Sequence, residues 1–192
     1  MGYFFKKNLC YYFGLNVVLI MKKFILFLIV ITSLCANIFS QSKWTRIINS
    51  LGNQEEYSNS IAVDSLGNIY STGIFQGTID MDPNLGSYNL ISAGNWDAFN
   101  VKLDAAGNFV WAKSTGGSLE DWSYSIEVDD IGNVYTAGCF YGISDFDPNN
   151  GIYNLVSAGS SDIFISKLDV NGDLVWAKSI GGTGHKKAYR IA

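Results

Sequence analysis

Two short runs of alternating oxygen side chains have the composition of a cation site. Asp80, Asp82, Asn84 and Gly86 lie in DMDPNLG, and Asp145, Asp147, Asn149 and Gly151 lie in DFDPNNG. Calcium takes roughly six to eight oxygen ligands, and alternating side chains are one way a loop gathers them. The runs depart from the common calcium loop in two ways. The glycine comes one place late, and the twelfth position is Ile91 or Val156 instead of a bidentate acid. Pro83 and Pro148 suit a turn opened by aspartate, with proline presetting the backbone angle. Two readings stand: a calcium site and an Asp-Pro turn.

Other residues offer less. Trp96 stands in an expected loop, where the second copy described below has Ser161. An exposed indole there can stack on a sugar or on a partner side chain. Asp97 and Asp162 precede expected strands, and Lys102 and Lys167 close them, so charge pairing across a sheet surface is possible. Tyr57 and Trp122 recur at one aligned position and read as core, while Trp44, Trp111 and Trp176 read as packing between repeats. Cys139 replaces Ile74 at the aligned position, which suits a small buried apolar residue more than a reactive thiol. His185 is the only histidine, so a histidine pair on a metal is excluded. No nucleophile elbow, phosphate loop or zinc spacing is present. Carboxylates two apart, such as Asp80 and Asp82, can serve a glycosidase, but they serve a turn equally well.

What must position these residues is a repeat. Tyr57–Trp111 aligns with Trp122–Trp176 without a gap at an offset of 65, and 30 of the 55 positions are identical. Duplication is the reading that chance cannot match. Each unit holds two hairpin signals: DSLGN and DAAGN in the first, DDIGN and DVNGD in the second. Aspartate opens such a turn and glycine supplies its left-handed residue. The flanks SIAVD, NIYSTGIF, AFNVKLD and NFVWAKS read as strands. Four antiparallel strands per unit, with the longer loop DPNLGSYNLISAGNWD between the second and third, predict β-propeller blades. The fold expectation is all-β: four-stranded blades of about 65 residues in an incomplete ring. Blade 1 covers 51–115, blade 2 covers 116–180, and 181–192 opens a third. Trp44–Ser50 matches the last strand of a unit yet comes first, so it is expected to close the ring.

These pieces resemble the SBBP repeat, the bacterial β-propeller repeat of secreted and surface proteins. The motifs that carry the resemblance are D-x-x-G-N-x-Y, the turn Gly73-x-Phe75-x-Gly77, D-x-D-P, and D-x-F-x-x-K-L-D running into W-A-K and Gly-Gly. The resemblance spans essentially all of 44–192. It implies a propeller of several such blades, often inside a large exported protein, and it brings no catalytic residue.

The first forty residues differ from the rest. Met21-Lys22-Lys23 leads an apolar run ending in small and polar residues, the layout of a secretory signal peptide over 21–40. Residues 1–20 read as an upstream extension or non-native start; the alternative is a retained hydrophobic helix that anchors the chain in a membrane. Four of the 13 lysines and arginines fall in 1–40 and none of the 17 acids, which leaves a net of −8 beyond them. Such an acidic surface repels phosphate backbones, so nucleic acid is not an expected partner. Only Cys139 remains beyond residue 40, so no disulfide framework is expected. The sequence therefore points to a secreted or cell-surface module, the N-terminal piece of a longer protein. Its role is a non-catalytic scaffold or binding domain for a protein or glycan, with no cofactor unless calcium binds. The alternatives are the propeller part of an extracellular, carbohydrate-active enzyme and a membrane-anchored surface protein.

Overall fold

Every regular element among the described residues is a β-strand. The computed structural model describes residues 48–50 and 54–192. The expected signal or hydrophobic helix, and residues 44–47 of the leading strand, lie outside the described residues.

The first unit builds β2 (Glu56–Val63), β3 (Ile69–Phe75), β6 (Asp97–Leu103) and β7 (Phe109–Gly117), hydrogen-bonded antiparallel in that order. The second builds β8 (Asp121–Val128), β9 (Val134–Phe140), β12 (Asp162–Leu168) and β13 (Leu174–Ile180) in the same order. These are blade-like four-stranded meanders, as the period of the sequence requires. The turns follow from D-x-x-G-N. Asp64 Oδ1 accepts the N–H groups of Leu66 and Asn68 at 2.9 Å each, and Gly67 takes a φ of 83°. The same geometry recurs at Asp104, Asp129 and Asp169, with Gly107, Gly132 and Gly172 at φ 78°, 85° and 82°.

The middle segment is more ordered than a loop. It folds into a hairpin of three-residue strands, β4 (Thr78–Asp80) with β5 (Asn89–Ile91) and β10 (Ile143–Asp145) with β11 (Asn154–Val156). Each hairpin pairs with the strand that precedes its own unit. β10 pairs with β7 through Ser144↔Gly117 and Asp145↔Gly116. β1 (Asn49–Ser50) pairs with β4 through Asn49↔Asp80 and Ser50↔Ile79, the equivalent register. Sheets therefore cut across repeats: the hairpin of one unit extends the sheet of the unit before it.

The two meanders pack face to face, which explains their burial patterns. β6 is buried along its whole length, with cover on both faces. Its counterpart β12 alternates buried and half-buried residues, as a strand with one covered face does. Tyr70 and Trp111 of the first unit meet Ile126, Val134 and Leu168 of the second. Trp111 also donates its Nε1–H to Val170 O at 3.1 Å. Ala98 joins Phe140, Phe146, Phe164 and Ala177 in a second seam cluster, and a third cluster lies within the first blade around Phe75, Met81, Phe99 and Val101. A polar stripe runs through the same seam. Ser123 Oγ donates to Gly73 O at 2.6 Å and lies 2.8 Å from Thr72 Oγ1. Thr136 Oγ1 donates to Asn100 Oδ1 at 2.8 Å, and Ile126 N donates to Ser60 Oγ at 3.4 Å. Residues 185–191 repeat this docking on the second blade, with Lys186 N donating to Ser161 O and Ile191 N to Ser125 Oγ.

Candidate functional site

Tyr57 and Trp122 stand second in β2 and β8, and Trp96 immediately precedes β6, so the blade architecture brings all three to one end of the sheets. Their rings form a continuous row. Tyr57 and Trp96 have centroids 5.6 Å apart, Trp96 and Trp122 6.0 Å, Trp122 and Tyr124 6.2 Å, and Tyr124 and Tyr189 5.1 Å. The row crosses the seam between the blades. Its ends are open, with Tyr57 51% and Tyr189 69% exposed, and its three middle rings are half-buried. Tyr124 joins because β8 bulges between Ser123 and Ser125, which leaves it unpaired.

A polar fringe lines the row. Glu120 accepts the Trp122 indole N–H at 3.3 Å and the Asn95 amide at 3.3 Å, and Asn95 accepts Gln76 Nε2 at 3.2 Å. Tyr57 OH donates to Glu55 at 3.2 Å, and Lys187 Nζ sits 5.8 Å from the centre of the Trp122 ring. The arrangement offers apolar ring faces beside amide and carboxylate groups, the chemistry that holds a ligand with both apolar and hydroxyl surfaces. Sequence reasoning found Trp96 because it stood in a loop without a counterpart. It placed Tyr57 and Trp122 in the core, and the structure corrects this: both take part in the surface row. Tyr124 and Tyr189 were missed. The signal was there in the aligned trio Asn59, Tyr124 and Tyr189, two places beyond Tyr57, Trp122 and Lys187.

The D-x-D-P-N-x-G runs form the turns of the two outer hairpins. Asp80 Oδ1 accepts the N–H groups of Asp82 at 3.1 Å and Tyr88 at 2.8 Å, and Asp145 Oδ1 accepts those of Asp147 at 2.9 Å and Tyr153 at 2.8 Å. Asp82 Oδ1 accepts Asn84 N and Asp147 Oδ1 accepts Asn149 N. These bonds hold the Asp80 carboxyl below the usual carboxylate range, chiefly through the Tyr88 N–H. Asn149 is drawn outward: its Oδ1 accepts Lys113 Nζ from the first blade at 2.6 Å, and its Nδ2 donates to Asp173 at 3.0 Å. Each hairpin engages its carboxylates with backbone N–H groups, and no group of three or more acidic, histidine or cysteine side chains fit for a metal occurs among the described residues.

The remaining candidates settle into structural positions. The lysines do not pair with Asp97 and Asp162. Lys102 Nζ lies 5.0 Å over the Tyr70 ring, and Lys167 Nζ lies 4.9 Å over Tyr135 and 3.9 Å from Asp129. Cys139 is a buried free thiol, pushed up in pKa by that burial. His185 stands 3.5 Å from Ser161 Oγ and edge-on to Tyr141.

Comparison with known proteins adds two findings. Over 99 residues, 52% of this chain, the sequence is 27% identical to the regulatory protein FlaEY of Caulobacter vibrioides. The chain spans about a tenth of that relative's length, the matched part being 10% of it. Residues 43–73 match the family model SBBP, described as a beta-propeller repeat, the family that the D-x-x-G-N-x-Y and W-A-K motifs resemble.

Proposed function

We propose that this chain is a non-catalytic binding module, a run of propeller blades within a larger secreted or surface protein. One observation carries the reading: a row of five aromatic rings, fringed by amides and carboxylates, crosses from one blade to the next. The ligand class that suits this row is a neutral glycan. Sugar rings present C–H faces to aromatics and vicinal hydroxyls to groups such as Glu120 and Asn95, and the chain's net charge of −4 disfavours a polyanion. Export rests on the signal-like run over 21–40.

The test is retention of the chain on a panel of insoluble neutral polysaccharides, with Trp96→Ala as the control. We expect retention of the native chain and its loss in the variant, with a cooperative melt in both. No retention on any member would turn the reading toward a protein ligand. The row also favours a second reading, the carbohydrate-binding part of an extracellular enzyme whose catalytic groups lie elsewhere. Calcium at Asp80, Asp82 and Asn84, and at Asp145, Asp147 and Asn149, is a further proposal. It rests on the alternation of oxygen side chains alone, and calorimetric titration with Ca²⁺ checks it.

A further inference from the structure

We infer that Asp97 and Asp121 form a proton-operated latch on the seam between the two blades. The carboxylates close over Gly116: a Cβ placed there would stand 2.6 Å from Asp97 Oδ1 and 3.0 Å from Asp121 Oδ2. Only glycine leaves that space, which is a reason for the Gly-Gly that ends the first W-A-K strand. Both acids are sealed from water, at 2% and 1% exposed.

Three of the four oxygens have donors. Ala93 N donates to Asp97 Oδ2 at 2.6 Å, Gly117 N to Asp121 Oδ2 at 2.7 Å, and Ser144 Oγ to Asp121 Oδ1 at 2.6 Å. Asp97 Oδ1 has no partner, and it is the oxygen that lies over Gly116 with Asp121 Oδ2. An ionised carboxylate only accepts, so a buried orphan oxygen facing a second carboxylate is costly. A proton taken from solvent onto Asp97 Oδ1 turns that oxygen into a donor toward Asp121 and leaves one charge where there were two.

No cation is paired with either acid among the described residues. Glu120, next to Asp121, is engaged by Trp122 and Asn95, and Cys139 on β9 is buried with its pKa raised. Tyr141 contributes a backbone N–H to Asp121, and Lys187 lies over the Trp122 ring. The repeat itself varies at this point. Asp162 is the counterpart of Asp97, but the counterpart of Asp121 is Lys186. Lys186 N bonds Ser161 O just as Asp121 N bonds Trp96 O. The second junction places a cationic residue where the first places an acid.

Burial raises the Asp97 carboxyl to about 7 against the N–H groups of Ala93 and Gly94, with the charge of Asp121 adding to it, and burial raises Asp121 to about 6 against the Ser144 hydroxyl and the N–H groups of Gly117 and Tyr141. The steps belong to the pair and not to either residue alone. A raised carboxyl binds its proton more tightly in the folded chain than in the unfolded one. The stabilisation is complete below the unfolded value of 3.8 and is lost as pH rises through 6 to 7. Double ionisation then drives apart the groups that the pair holds: the Ala93 loop, the end of β7 and the β10 hairpin. Trp96 and Trp122 each adjoin one of the two acids, so the aromatic row moves with the latch. The latch does not depend on what the row binds.

A carbon-13 carboxyl titration of the whole chain by NMR tests this directly. One step of the pair is expected near neutral pH; two steps below about pH 4.5, the ordinary carboxylate range, would overturn the latch. Urea unfolding across the same pH range is the second arm. The unfolding constant of the native chain should rise between the unfolded pKa and about pH 7, up to about tenfold per pH unit for each linked proton, and level off above that. Asp97→Asn, whose amide can donate to Asp121 at every pH, should flatten that rise, and so should Asp121→Asn. Equal destabilisation of both variants at all pH values, with the native slope retained, would show a merely structural pair.

Discussion

Gly132 shows how much a single residue decides. Its φ of 85° lies in the left-handed region, and a Cβ there would stand 3.1 Å from the Val170 side chain. The left-handed backbone costs an L-residue roughly 1–2 kcal/mol, so Gly132→Ala should lower the free energy of unfolding by about that amount. Urea denaturation reads this as a lower midpoint at unchanged slope. The aspartates of the same turns carry the acid limb of stability. In Asp64, burial works upward, but the bonds from Asn68, Tyr70 and Leu66 outweigh it and leave the carboxyl below its ordinary value. Asp129 is lowered first by Asn133, and Asp169 by backbone N–H groups against burial. A lowered carboxyl stabilises the fold above the unfolded value of 3.8, and that contribution is lost as pH falls through the folded value. Together with the raised pair at the seam, this predicts greatest stability in mildly acid solution. Melting temperature against pH checks it: a maximum at about pH 4, close to the unfolded carboxylate value, is expected, with decline on both sides. The turns were legible in the sequence because D-x-x-G-N is local chemistry. The tyrosine two places beyond the motif has its reason in the structure: Tyr70 OH donates to Asp64 and Tyr135 OH to Asp129.

At the scale of elements, legibility fades with sequence distance. The four strands of each meander follow from period-two patterning between turn signals. The outer hairpins look like loop in the sequence because TID and NLI are too short to show a period. Their order comes from pairing with the preceding unit, which no local pattern announces. The aromatic row has the same origin: the packing of β8 onto the first blade, together with a bulge, brings Trp96, Trp122 and Tyr124 into line. Asp97 and Asp121 stand in different units and meet only across the seam. Ser123 tests that seam. It is fully buried, and its hydroxyl donates to Gly73 O and accepts at Thr72. Ser123→Ala strands a buried carbonyl, so it should cost about 1–3 kcal/mol. A double-mutant cycle with Thr72→Val should return a non-additive remainder. Strict additivity would mean that the two hydroxyls act independently.

For the whole molecule, the question is whether two homologous blades behave as two foldons or one. Repeat proteins divide into units when neighbours share little. Here they share a sheet: the hairpin of the second unit is hydrogen-bonded to the last strand of the first. Phe146, directly after β10, is the anchor of that hairpin. It is 1% exposed and lies 5.5 Å from Phe140 and 4.9 Å from Phe164, ring centre to ring centre. Phe146→Ala removes the ring that ties the hairpin to the second blade and should cost about 3–5 kcal/mol. The shared sheet then predicts where the damage spreads. Hydrogen exchange should accelerate at Ser144–Asp145 and at the β7 end around Gly116–Gly117 together, although those residues belong to different repeats. The distant β2–β3 pair of the first blade should follow only at the global unfolding rate. Acceleration confined to the second blade, with Gly116–Gly117 still protected, would mean that each repeat keeps its own stability and that the shared sheet is only a contact.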